Sequence, residues 1–407
     1  MAMSEHVLLR RRLAPVQNLE EYEASGGLAG LGWARANGPE AVVRLISESR
    51  LVGRGGAGFP TGRKWGAVRQ AADPVRYAVL NADESEPGTF KDRLLMETDP
   101  HMVIEGLLIG SFVVSATKAY LYVRGEYAEA ARRMEEAVRQ FAAAGQLDGI
   151  RPDGGPLDVE VRRGGGAYVC GEETALFRSL EGFRGEPQPK PPFPTVVGLF
   201  GKPTLINNVE TLANIPDIVS RGASWPGGLG TAESPGTKLF SVSGHVVRPD
   251  VYEVPFGTPL RDLLDAAGAP ADVRAVLLGG AAGTFVFPQD FGLPLSYEGV
   301  RTRGATLGSG SVMVFDGATN LWQVAERIGA FFLHESCGQC VPCRLGTKRQ
   351  HEMLERLASG TGRGGEPDLL RRLGHVMADA SICGLGQSAP SAVLSLVDAW
   401  EQGLVPA

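Results

Sequence analysis

Three cysteines lie close together at Cys337, Cys340 and Cys343, and another, Cys383, lies far downstream. Three thiolates at C-x-x-C-x-x-C spacing can bind one face of a compact cluster, and a remote thiolate can complete its opposite corner. This is the usual way in which a [4Fe-4S] cube is held. The spacing therefore predicts a one-electron iron–sulfur centre with these four ligands.

Two other interpretations of the cysteines stay open. Zinc also binds four thiolates, although structural zinc sites more often use two separated C-x-x-C or C-x-x-H pairs. Alternatively, the four residues are buried thiols without a metal, but three cysteines in so short a run rarely arise from packing alone. The remaining cysteine, Cys170, has no neighbour that suggests a nucleophile, so we expect a small buried side chain there.

The glycine-rich stretch Gly53–Lys64 contains the pattern G-x-G-x-x-G. A dinucleotide fingerprint needs a strand before the glycines and a helix after them, whereas the preceding residues 41–49 have helical spacing. The glycines still allow the backbone to approach a ligand and present N–H groups to a phosphate, and Lys64 adds a positive charge. The stretch indicates either a phosphate-binding loop or a glycine-rich surface turn.

An acidic loop, Asn81–Gly88, follows the short predicted strand Tyr77–Leu80. Ligands of open α/β sheets bind beyond the carboxyl ends of the strands. The amide, carboxylate and hydroxyl groups of this loop suit a polar ring system or ribose hydroxyls. The alternative is a solvated acidic loop that binds nothing.

A second glycine cluster, Gly164–Gly166, follows the alternating strand pattern of residues 157–161 and precedes a predicted helix, Glu172–Leu180. A strand, a glycine loop and a helix in this order bring a ligand to a helix N-terminus. Glu172 and Glu173 lie in the first turn, where the helix dipole favours carboxylates. They can therefore cap the helix, bind a ligand, or do both.

Two later stretches can position further side chains. The proline-dense segment Pro187–Pro194 cannot form a helix or a central strand, so it presents Lys190 and Phe193 on a stiff loop. Asn208 then opens another helix as a plausible N-cap.

The overall composition is that of an ordinary globular protein, with 407 residues, 43% hydrophobic residues and 21% charged residues. A net charge of -6 argues against nucleic acid as a partner. The longest apolar stretch, Met102–Val114, is too short to span a bilayer, and no secretory signal is recognisable. Together with the absence of a disulfide pattern, this predicts a cytoplasmic protein without direct membrane insertion, with a peripheral position on the inner face of the membrane as part of a complex as the alternative.

Changes of pattern divide the chain into four predicted parts. Residues 1–45 form an N-terminal arm, and residues 46–235 form an α/β domain. Residues 236–317 form a small α+β domain with a structural or docking role. Residues 318–407 form a helical bundle that holds the cysteine motif.

Six segments together resemble the family of NADH-binding flavoprotein subunits of respiratory complex I and the related diaphorase subunits of NAD-dependent formate dehydrogenases and NAD(P)-linked hydrogenases. The resemblance extends over nearly the whole chain from about Leu19. It implies an α/β fold with a Rossmann-like FMN- and NADH-binding domain, a ubiquitin-like domain of the soluble-ligand-binding type, and a bundle with one [4Fe-4S] cluster. The segments are GRGGAGFPTG, NADESEPGTFKDR, YVCGEETAL, KPPFPTVVGLFGKPT, INNVETLANI and ESCGQCVPCR.

The resemblance also implies site residues, with the four cysteines as cluster ligands. The implied FMN shell is Gly55, Gly56, Lys64, Asn81, Asp83, Glu84, Ser85, Tyr168, Gly171, Glu172, Asn207, Asn208 and Thr211. The implied NADH contacts are Phe59, Lys64, Glu86, Glu173, Lys190 and Phe193. The cofactor-binding set is completed by Gly53, Arg54 and Ile206. The catalytic candidates are Glu84, Lys64 and Glu173.

The implied activity is electron transfer between NAD(H) and the cluster through FMN. NADH gives two electrons as a hydride and iron–sulfur clusters accept one at a time, so a flavin is expected between them. No side chain needs to act as an acid or base in the hydride step. A carboxylate at Glu173 near the adenosine ribose should repel the 2′-phosphate of NADPH, so Glu173→Gln is predicted to gain NADPH activity.

The segments around the cysteines favour the diaphorase module of a soluble formate dehydrogenase or hydrogenase, although the extra N-terminal domain of many such relatives is not seen. Respiratory complex I is the alternative, and Val52 and Ala67 depart from the pattern of many of its members. More distant alternatives are a zinc-stabilised scaffold without redox activity and an electron carrier that binds no nucleotide. The family implies a thioredoxin-like [2Fe-2S] subunit and a further iron–sulfur electron-transfer subunit as partners.

Overall fold

The computed structural model describes residues 6–405, so the first five residues of the predicted arm lie outside the described part. Three structural units follow one another along the chain. A parallel α/β unit comes first, a mixed α+β unit second and a helical bundle last. Among the described helices, none combines the length and the apolar character that crossing a bilayer requires.

The first unit is built on a parallel four-stranded sheet in the order β3-β2-β1-β4 within the described chain. Strand β1 lies in the middle and is mostly buried, as expected for a parallel sheet covered by helices. Its elements are α1 (Leu19–Ala24), α2 (Ala29–Asn37), α3 (Pro39–Glu48), α4 (Thr61–Gln70), β1 (Tyr77–Ala82), α5 (Lys91–Thr98), α6 (Pro100–Val114), β2 (Lys118–Val123), α7 (Ala128–Ala143), β3 (Asp158–Arg163), α8 (Glu173–Leu180), β4 (Thr204–Asn208), α9 (Val209–Ala213) and α10 (Ile215–Arg221).

The N-terminal segment packs against both the first and the second unit. In the first unit, the buried Glu105 carboxylate on α6 accepts hydrogen bonds from the Tyr22 hydroxyl and the Leu28 amide. In the second unit, the Glu253 carboxylate accepts hydrogen bonds from the backbone amides of residues 7–9. Each buried carboxylate is thus satisfied by several donors, which offsets the cost of removing it from water. These bonds fix the segment that precedes the glycine-rich loop.

The second unit carries a mixed five-stranded sheet in the order β6-β5-β9-β7-β8 within the described residues. Strands β5 and β9 are parallel, and the remaining neighbours are antiparallel. Helix α11 has a strongly one-sided apolar pattern and covers one face of the sheet. The elements are β5 (Thr237–Gly244), β6 (Asp250–Pro255), α11 (Leu260–Ala267), β7 (Val273–Leu278), β8 (Thr284–Val286), α12 (Tyr297–Arg301) and β9 (Ser311–Asp316).

The third unit is a helical bundle whose apolar core continues into the other two units. One cluster of buried side chains contains Val79 and Ile206 of the parallel sheet, Leu277 of the mixed sheet, and Phe332 of the bundle. The bundle, the parallel sheet and the mixed sheet are therefore held together by shared apolar burial. Its helices are α13 (Leu321–Glu335), α14 (Val341–Ala358), α15 (Glu366–Ala380), α16 (Gly384–Ser388) and α17 (Ser391–Glu401).

A buried group of charges joins the first and second units beneath the site loops. The Glu210 carboxylate on α9 lies 2.9 Å from Lys91 Nζ on α5 and 3.5 Å from Lys238 Nζ on β5. Burial opposes the charged form of each group. Even so, the two lysines lower the pKa of Glu210, whereas burial dominates at Lys238 and lowers its pKa to about 8. Glu210 is therefore the anion that the two cations share, while Lys91 also pairs with Asp92 at 2.7 Å.

We expect Glu210→Gln to lower the free energy of unfolding by about 3 kcal/mol, because it leaves two buried lysines without their shared counter-ion. The midpoint of urea denaturation, followed by circular dichroism, measures the loss. Glu136→Gln, which removes an exposed partner of Arg139, is the control and should change stability by less than about 0.5 kcal/mol. Equal midpoints for the two variants would contradict the proposed importance of the buried charges.

Candidate functional site

The predicted site residues converge at the carboxyl end of the parallel sheet. Strand β1 pairs with β2 on one side and with β4 on the other. The chain adds β2 and β3 on one side of β1 and then crosses to the other side to add β4, so the strand order reverses between β1 and β4. Such a switch point leaves a crevice beyond the strand ends, and this is where open α/β sheets bind ligands. The loop after β1, the start of α9 after β4 and the loop after β3 all meet there, together with the glycine-rich loop before α4.

The glycine-rich loop follows helix α3 rather than a strand, as its sequence context predicted. Its backbone runs directly against the end of β4: a Cβ added to Gly55 would lie 3.1 Å from the Cβ of Asn208. Gly56 has φ 127°, a conformation that side chains rarely adopt. The loop is fixed by the Arg54 amide, which donates to the Thr211 hydroxyl at 2.8 Å. It is thus a preformed glycine cradle, held against the switch point.

The loop after β1 carries polar groups that the protein itself leaves unpaired. The Asn81 side chain donates to the Gly171 carbonyl at 2.9 Å and accepts the Asp83 amide at 3.1 Å. Both carboxylate oxygens of Asp83 and the hydroxyl of Ser85 are buried without a hydrogen-bond partner in the described chain. Burial raises the pKa of Asp83 to about 7. Buried polar atoms without partners are uncommon and often mark ligand contacts.

The raised pKa of Asp83 predicts that the free energy of unfolding of the cofactor-free protein depends on pH. An unfolded aspartate ionises near pH 4, whereas folded Asp83 keeps its proton until about pH 7. The folded state therefore holds the extra proton over this window, and stability falls as the pH rises through it. Above pH 7 the folded state bears the full loss of stability from ionising the buried Asp83 carboxyl group.

We expect Asp83→Asn to make the cofactor-free protein more stable at pH 8, by up to about 4 kcal/mol, because it removes that ionisation. Urea denaturation at pH 8 and pH 5.5 measures the effect, and the advantage of the variant should shrink at the lower pH. Asp379→Asn, at an exposed position on α15, is the control. A variant less stable than the parent at pH 8 would contradict the expectation.

The Glu84 side chain is directed to a helix terminus. Its carboxylate accepts the amides of Asp92 and Arg93 at the start of α5, at 2.8 and 2.9 Å. Burial, followed by the neighbouring Asp92 carboxylate, raises the pKa of Glu84. The structure therefore shows Glu84 capping the N-terminus of α5. In the first turn of the same helix, the Asp92 carboxylate accepts a hydrogen bond from the Asn208 side-chain amide at 2.6 Å. The catalytic role of Glu84 stays a prediction.

Glu86 and Tyr168 connect the crevice to the other two units. The Tyr168 hydroxyl donates to Glu86 Oε2 at 2.8 Å, and the Ala282 amide of the second unit donates to Glu86 Oε1 at 3.1 Å. The Tyr168 amide donates to the Glu335 carboxylate at 2.8 Å, at the end of α13 in the bundle. The Tyr168 ring packs edge-on against the Phe331 ring of the same helix. Tyr168 therefore touches both the crevice and the helix that leads to the cysteines.

Four charged residues line the crevice at the start of α8. Lys190 Nζ donates to the carboxylates of Glu172 and Glu173 at 2.8 and 3.0 Å, and Lys64 Nζ lies 3.9 Å from Glu173. Burial alone would lower the pKa of Lys190, but the two glutamates raise it overall. Burial lowers the pKa of Lys64, whose ammonium donates to the Ile206 carbonyl at 3.1 Å. Glu173 is thus held between two cations.

Glu172 also caps α8, since its carboxylate accepts the amides of Thr174 and Ala175. The capping and charge-pairing roles therefore coexist in one side chain, as the sequence allowed. Phe59, whose ring centroid lies 5.9 Å from Lys64 Nζ, is 44% exposed, and Phe193, three residues after Lys190 on the proline-dense loop, is 57% exposed. Exposed aromatic rings beside a charged crevice are suited to stacking on the flat rings of a ligand. The remaining predicted residue, Asn207, accepts the indole N–H of a buried tryptophan at 2.9 Å.

The four cysteines of the predicted cluster pack against one apolar core at the edge of the bundle. Cys337 and Cys340 lie in the connection between α13 and α14, Cys343 lies in the first turn of α14, and Cys383 directly precedes α16. The segment after Cys383 passes close to Cys343, because a Cβ added to Gly386 would lie 2.8 Å from the Cys343 Cβ. Burial, with the other three thiols adding to it, raises the pKa of Cys343 to about 11.

These observations test whether the implied cofactors fit. Four thiols drawn together disfavour one another's ionisation unless a cation neutralises them, which suits a metal cluster. The glycine cradle and the unpaired buried atoms of Asp83 and Ser85 suit a polar ligand with a phosphate. Both groups fit the residues present. The fifth cysteine, Cys170, is buried next to Tyr122, as expected for a packing residue.

Sequence reasoning missed several residues that touch the site from outside the first unit. Glu335 binds Tyr168, Ala282 binds Glu86, and the Tyr297 hydroxyl donates to the Gly53 carbonyl at 3.2 Å. A usable signal existed for one of them, because the run Gly279–Gly283 is a third glycine cluster that received no role. The α+β unit is therefore in contact with the site loops.

Comparison with protein-family models identifies three segments of the chain. Residues 46–217 match the Nuo51 FMN-binding domain. Residues 239–280 match the SLBB domain. Residues 323–405 match the NADH-ubiquinone oxidoreductase-F iron-sulfur binding region, which contains all four predicted cluster ligands.

Similar proteins of known name cover almost all of the chain. The second F-type subunit of NADH-quinone oxidoreductase from Rhizobium meliloti (strain 1021) is 45% identical over 394 residues, which are 95% of this chain and 94% of the relative. The HndC subunit of the NADP-reducing hydrogenase from Solidesulfovibrio fructosivorans is 42% identical over 94% of this chain and 79% of the relative.

A solved structure, an NAD+-reducing [NiFe]-hydrogenase in the H2-reduced state, superposes with a TM-score of 0.86 at 38% identity. The match covers 96% of this chain and 66% of that one. These matches confirm the predicted fold class and the cofactors FMN and [4Fe-4S]. The chain belongs to the family of F-type subunits of NADH-quinone oxidoreductase, which also includes related hydrogenase subunits, and it is an NADH-binding FMN- and iron–sulfur-dependent oxidoreductase.

Proposed function

We propose that this chain is the diaphorase subunit of an NAD-linked dehydrogenase or hydrogenase complex and exchanges electrons between NAD(H) and its [4Fe-4S] cluster. The observation that carries the proposal is the double contact of Tyr168. Its hydroxyl binds Glu86 in the crevice, and its amide binds Glu335 next to the cysteine motif. The nucleotide crevice and the cluster site are therefore parts of one packed assembly rather than separate binding sites.

The glycine cradle and Lys64 would hold the FMN phosphate, because backbone N–H groups and a lysine suit a phosphate. Asn81, Asp83 and Ser85, which present unpaired polar atoms, would bind the ring system and the ribityl hydroxyls. FMN held there would supply two-electron chemistry towards a nicotinamide and one-electron chemistry towards the cluster. The side chains supply positioning, charge and exclusion of water, and none is required to transfer a proton in the hydride step.

NAD(H) would bind on the exposed side of the crevice. Phe59 and Phe193 offer exposed rings for stacking, and Lys190 and Glu173 offer an ion pair that can reorganise around the ribose and pyrophosphate. Glu86, another implied NADH contact, accepts hydrogen bonds from Tyr168 and Ala282, and burial raises its pKa. This arrangement would hold the nicotinamide against the flavin and keep bulk water out.

We also propose a cytoplasmic location and two protein partners for the chain. The partners are a thioredoxin-like [2Fe-2S] subunit and a further iron–sulfur subunit. A single cluster near the bundle surface needs an external acceptor. Five free cysteines among the described residues are consistent with a reducing compartment.

The test is an anaerobic titration of the purified protein with NADH. We expect the protein to contain about one FMN and about four irons per chain. The flavin absorption should bleach when about one equivalent of NADH per FMN has been added, and a reduced-cluster EPR signal should appear. Protein that contains both cofactors but does not respond to NADH would overturn the proposal. So would protein that contains zinc in place of iron.

Respiratory complex I is the second candidate, favoured by the 45% identity to an F-type subunit of NADH-quinone oxidoreductase. Purification of the native complex through an affinity tag on this chain, followed by activity assays, distinguishes the two candidate functions. Formate- or H2-dependent reduction of NAD+ in the purified complex would support the first proposal. NADH-dependent quinone reduction by a membrane-bound complex would support the second.

A further inference from the structure

A histidine of the bundle faces two glutamates outside the flavin and cysteine sites. His351 Nδ1 on α14 lies 3.7 Å from Glu326 Oε1 on α13, and His351 Nε2 lies 3.5 Å from Glu355 Oε1 one turn further along α14. Hydrogen bonds of N–H to oxygen are shorter, at about 2.7–3.2 Å. Two ligands of one tetrahedral zinc ion, with bonds of about 2.1 Å, lie roughly 3.4 Å apart. Each separation is close to the second value, but the two involve opposite nitrogens of the ring, so one ion can use only one of them directly.

We propose that Glu326, His351 and Glu355 form a binding site for a first-row divalent cation such as Zn²⁺, which joins α13 to α14. One nitrogen of the imidazole and one oxygen of each carboxylate would bind the ion. Ligand atoms chosen in this way lie within 4.8 Å of one another, so the carboxylate beside the other ring nitrogen must rotate towards the ion to complete the site. Imidazole and carboxylate ligands suit zinc, and three protein ligands leave a position for water.

The charges of the group call for a cation. Neither Glu326 nor Glu355 forms an ion pair with a lysine or arginine anywhere in residues 6–405. The nearby basic side chain of Arg356 is engaged with Glu366 instead. Nδ1 of His351 is buried without a hydrogen-bond partner in the described chain. Two carboxylates and a buried unpaired nitrogen thus converge without a basic side chain to balance their charge.

The backbone of α13 allows this approach. Position 329 is a glycine, and a Cβ there would lie 3.6 Å from His351 Nδ1, so the ring lies directly against the helix. The side chain of His351 is 15% exposed and that of Glu355 is 58% exposed, so an ion can enter from the Glu355 side. Helix α14 also carries Cys343 in its first turn, and a bound ion would therefore stiffen the helix pair that presents the cluster ligands.

The experiment uses the full-length protein with FMN and cluster, prepared anaerobically, and Zn²⁺ as the probe. After equilibration with micromolar Zn²⁺ and gel filtration, metal analysis should find about one zinc per chain beside about four irons. Glu355→Gln should weaken zinc binding at least tenfold, and His351→Gln should abolish it. His375→Gln, at an exposed histidine of α15, is the matched control and should bind zinc like the parent.

A thermal melt gives a second readout, since a ligand that binds only the folded state raises its midpoint. Zinc should raise the midpoint of the parent and the control but not that of His351→Gln. Should His351→Gln lose iron and flavin through misfolding, the exposed Glu355→Gln still decides the question. Zinc that binds equally to all variants, that replaces iron, or that fails to bind at all would overturn the proposal and leave a histidine–glutamate ion pair only. The result does not depend on the proposed electron-transfer function.

Discussion

The Cys383→Ser variant is expected to lose its [4Fe-4S] cluster while it keeps FMN. Cys383 is the ligand supplied from a distant part of the chain, and the segment that follows it passes against Cys343. A serine hydroxyl is a poor substitute for a thiolate, so one corner of the cube would be left without a ligand. Iron should fall from about four to less than about one per chain, and the reduced-cluster EPR signal should disappear.

The stability of the bundle should fall with the cluster, because metal binding and folding are coupled where ligands come from separate segments. We expect a lower thermal midpoint for the last 85 or so residues, roughly those of the matched iron–sulfur region, with the parallel sheet retaining its flavin. Cys170→Ser is the matched control, since Cys170 is buried in the first unit and lies outside the motif. A Cys383→Ser protein with a full complement of iron would show that Cys383 is not a ligand.

The positions of the strands, helices and cysteines were predictable because they depend on local pattern. The alternating apolar residues 157–161 predicted β3, and Asn208 was predicted as the cap of α9, where its side-chain oxygen accepts the Glu210 amide at 3.0 Å. Each of these signals acts over a few residues, and the physical cause lies within the element itself. The family models match residues 46–217, 239–280 and 323–405, each inside one predicted part, and the boundaries between the parts stay a prediction.

The tasks of individual carboxylates were not predictable, because they depend on contacts between distant segments. Glu84 and Glu86 stand two residues apart in one acidic loop, yet Glu84 caps α5 and Glu86 binds Tyr168 and the second unit. Sequence spacing cannot distinguish these environments. The same holds for Glu335, which the motif included without a role and which the fold places on the Tyr168 amide.

The short helices of the N-terminal segment show the same limit. Helical spacing of residues 41–49 indicated α3, but the preceding α2 was not predicted, and it follows a residue with positive φ, Leu28. What holds this segment is a pair of buried carboxylates, Glu105 and Glu253, that belong to elements far along the chain. A pattern within the first 45 residues carries no information about them.

The Glu173→Gln variant is expected to accept NADPH. Glu173 lies 3.0 Å from Lys190 and 3.9 Å from Lys64, so its carboxylate neutralises both lysines and would oppose a phosphate placed among them. Removing the charge takes away the repulsion of the 2′-phosphate and leaves Lys190 paired with Glu172 alone. We expect kcat/KM for NADPH to rise by about 10- to 100-fold, or about 1.4–2.8 kcal/mol, while kcat/KM for NADH changes less.

Steady-state kinetics with both nucleotides, at low and high ionic strength, measure this change. Because the gain is electrostatic and the site is partly open, it should shrink as salt is added. Glu186→Gln removes a carboxylate that pairs with Arg184 in the same stretch of chain, and it should leave the nucleotide preference unchanged. If Glu173→Gln keeps the parent's ratio of NADPH to NADH activity at both salt concentrations, the ribose lies elsewhere. The ion pair with Lys190 would then only stabilise the proline-rich loop against the start of α8, where Glu172 already holds the same ammonium at 2.8 Å.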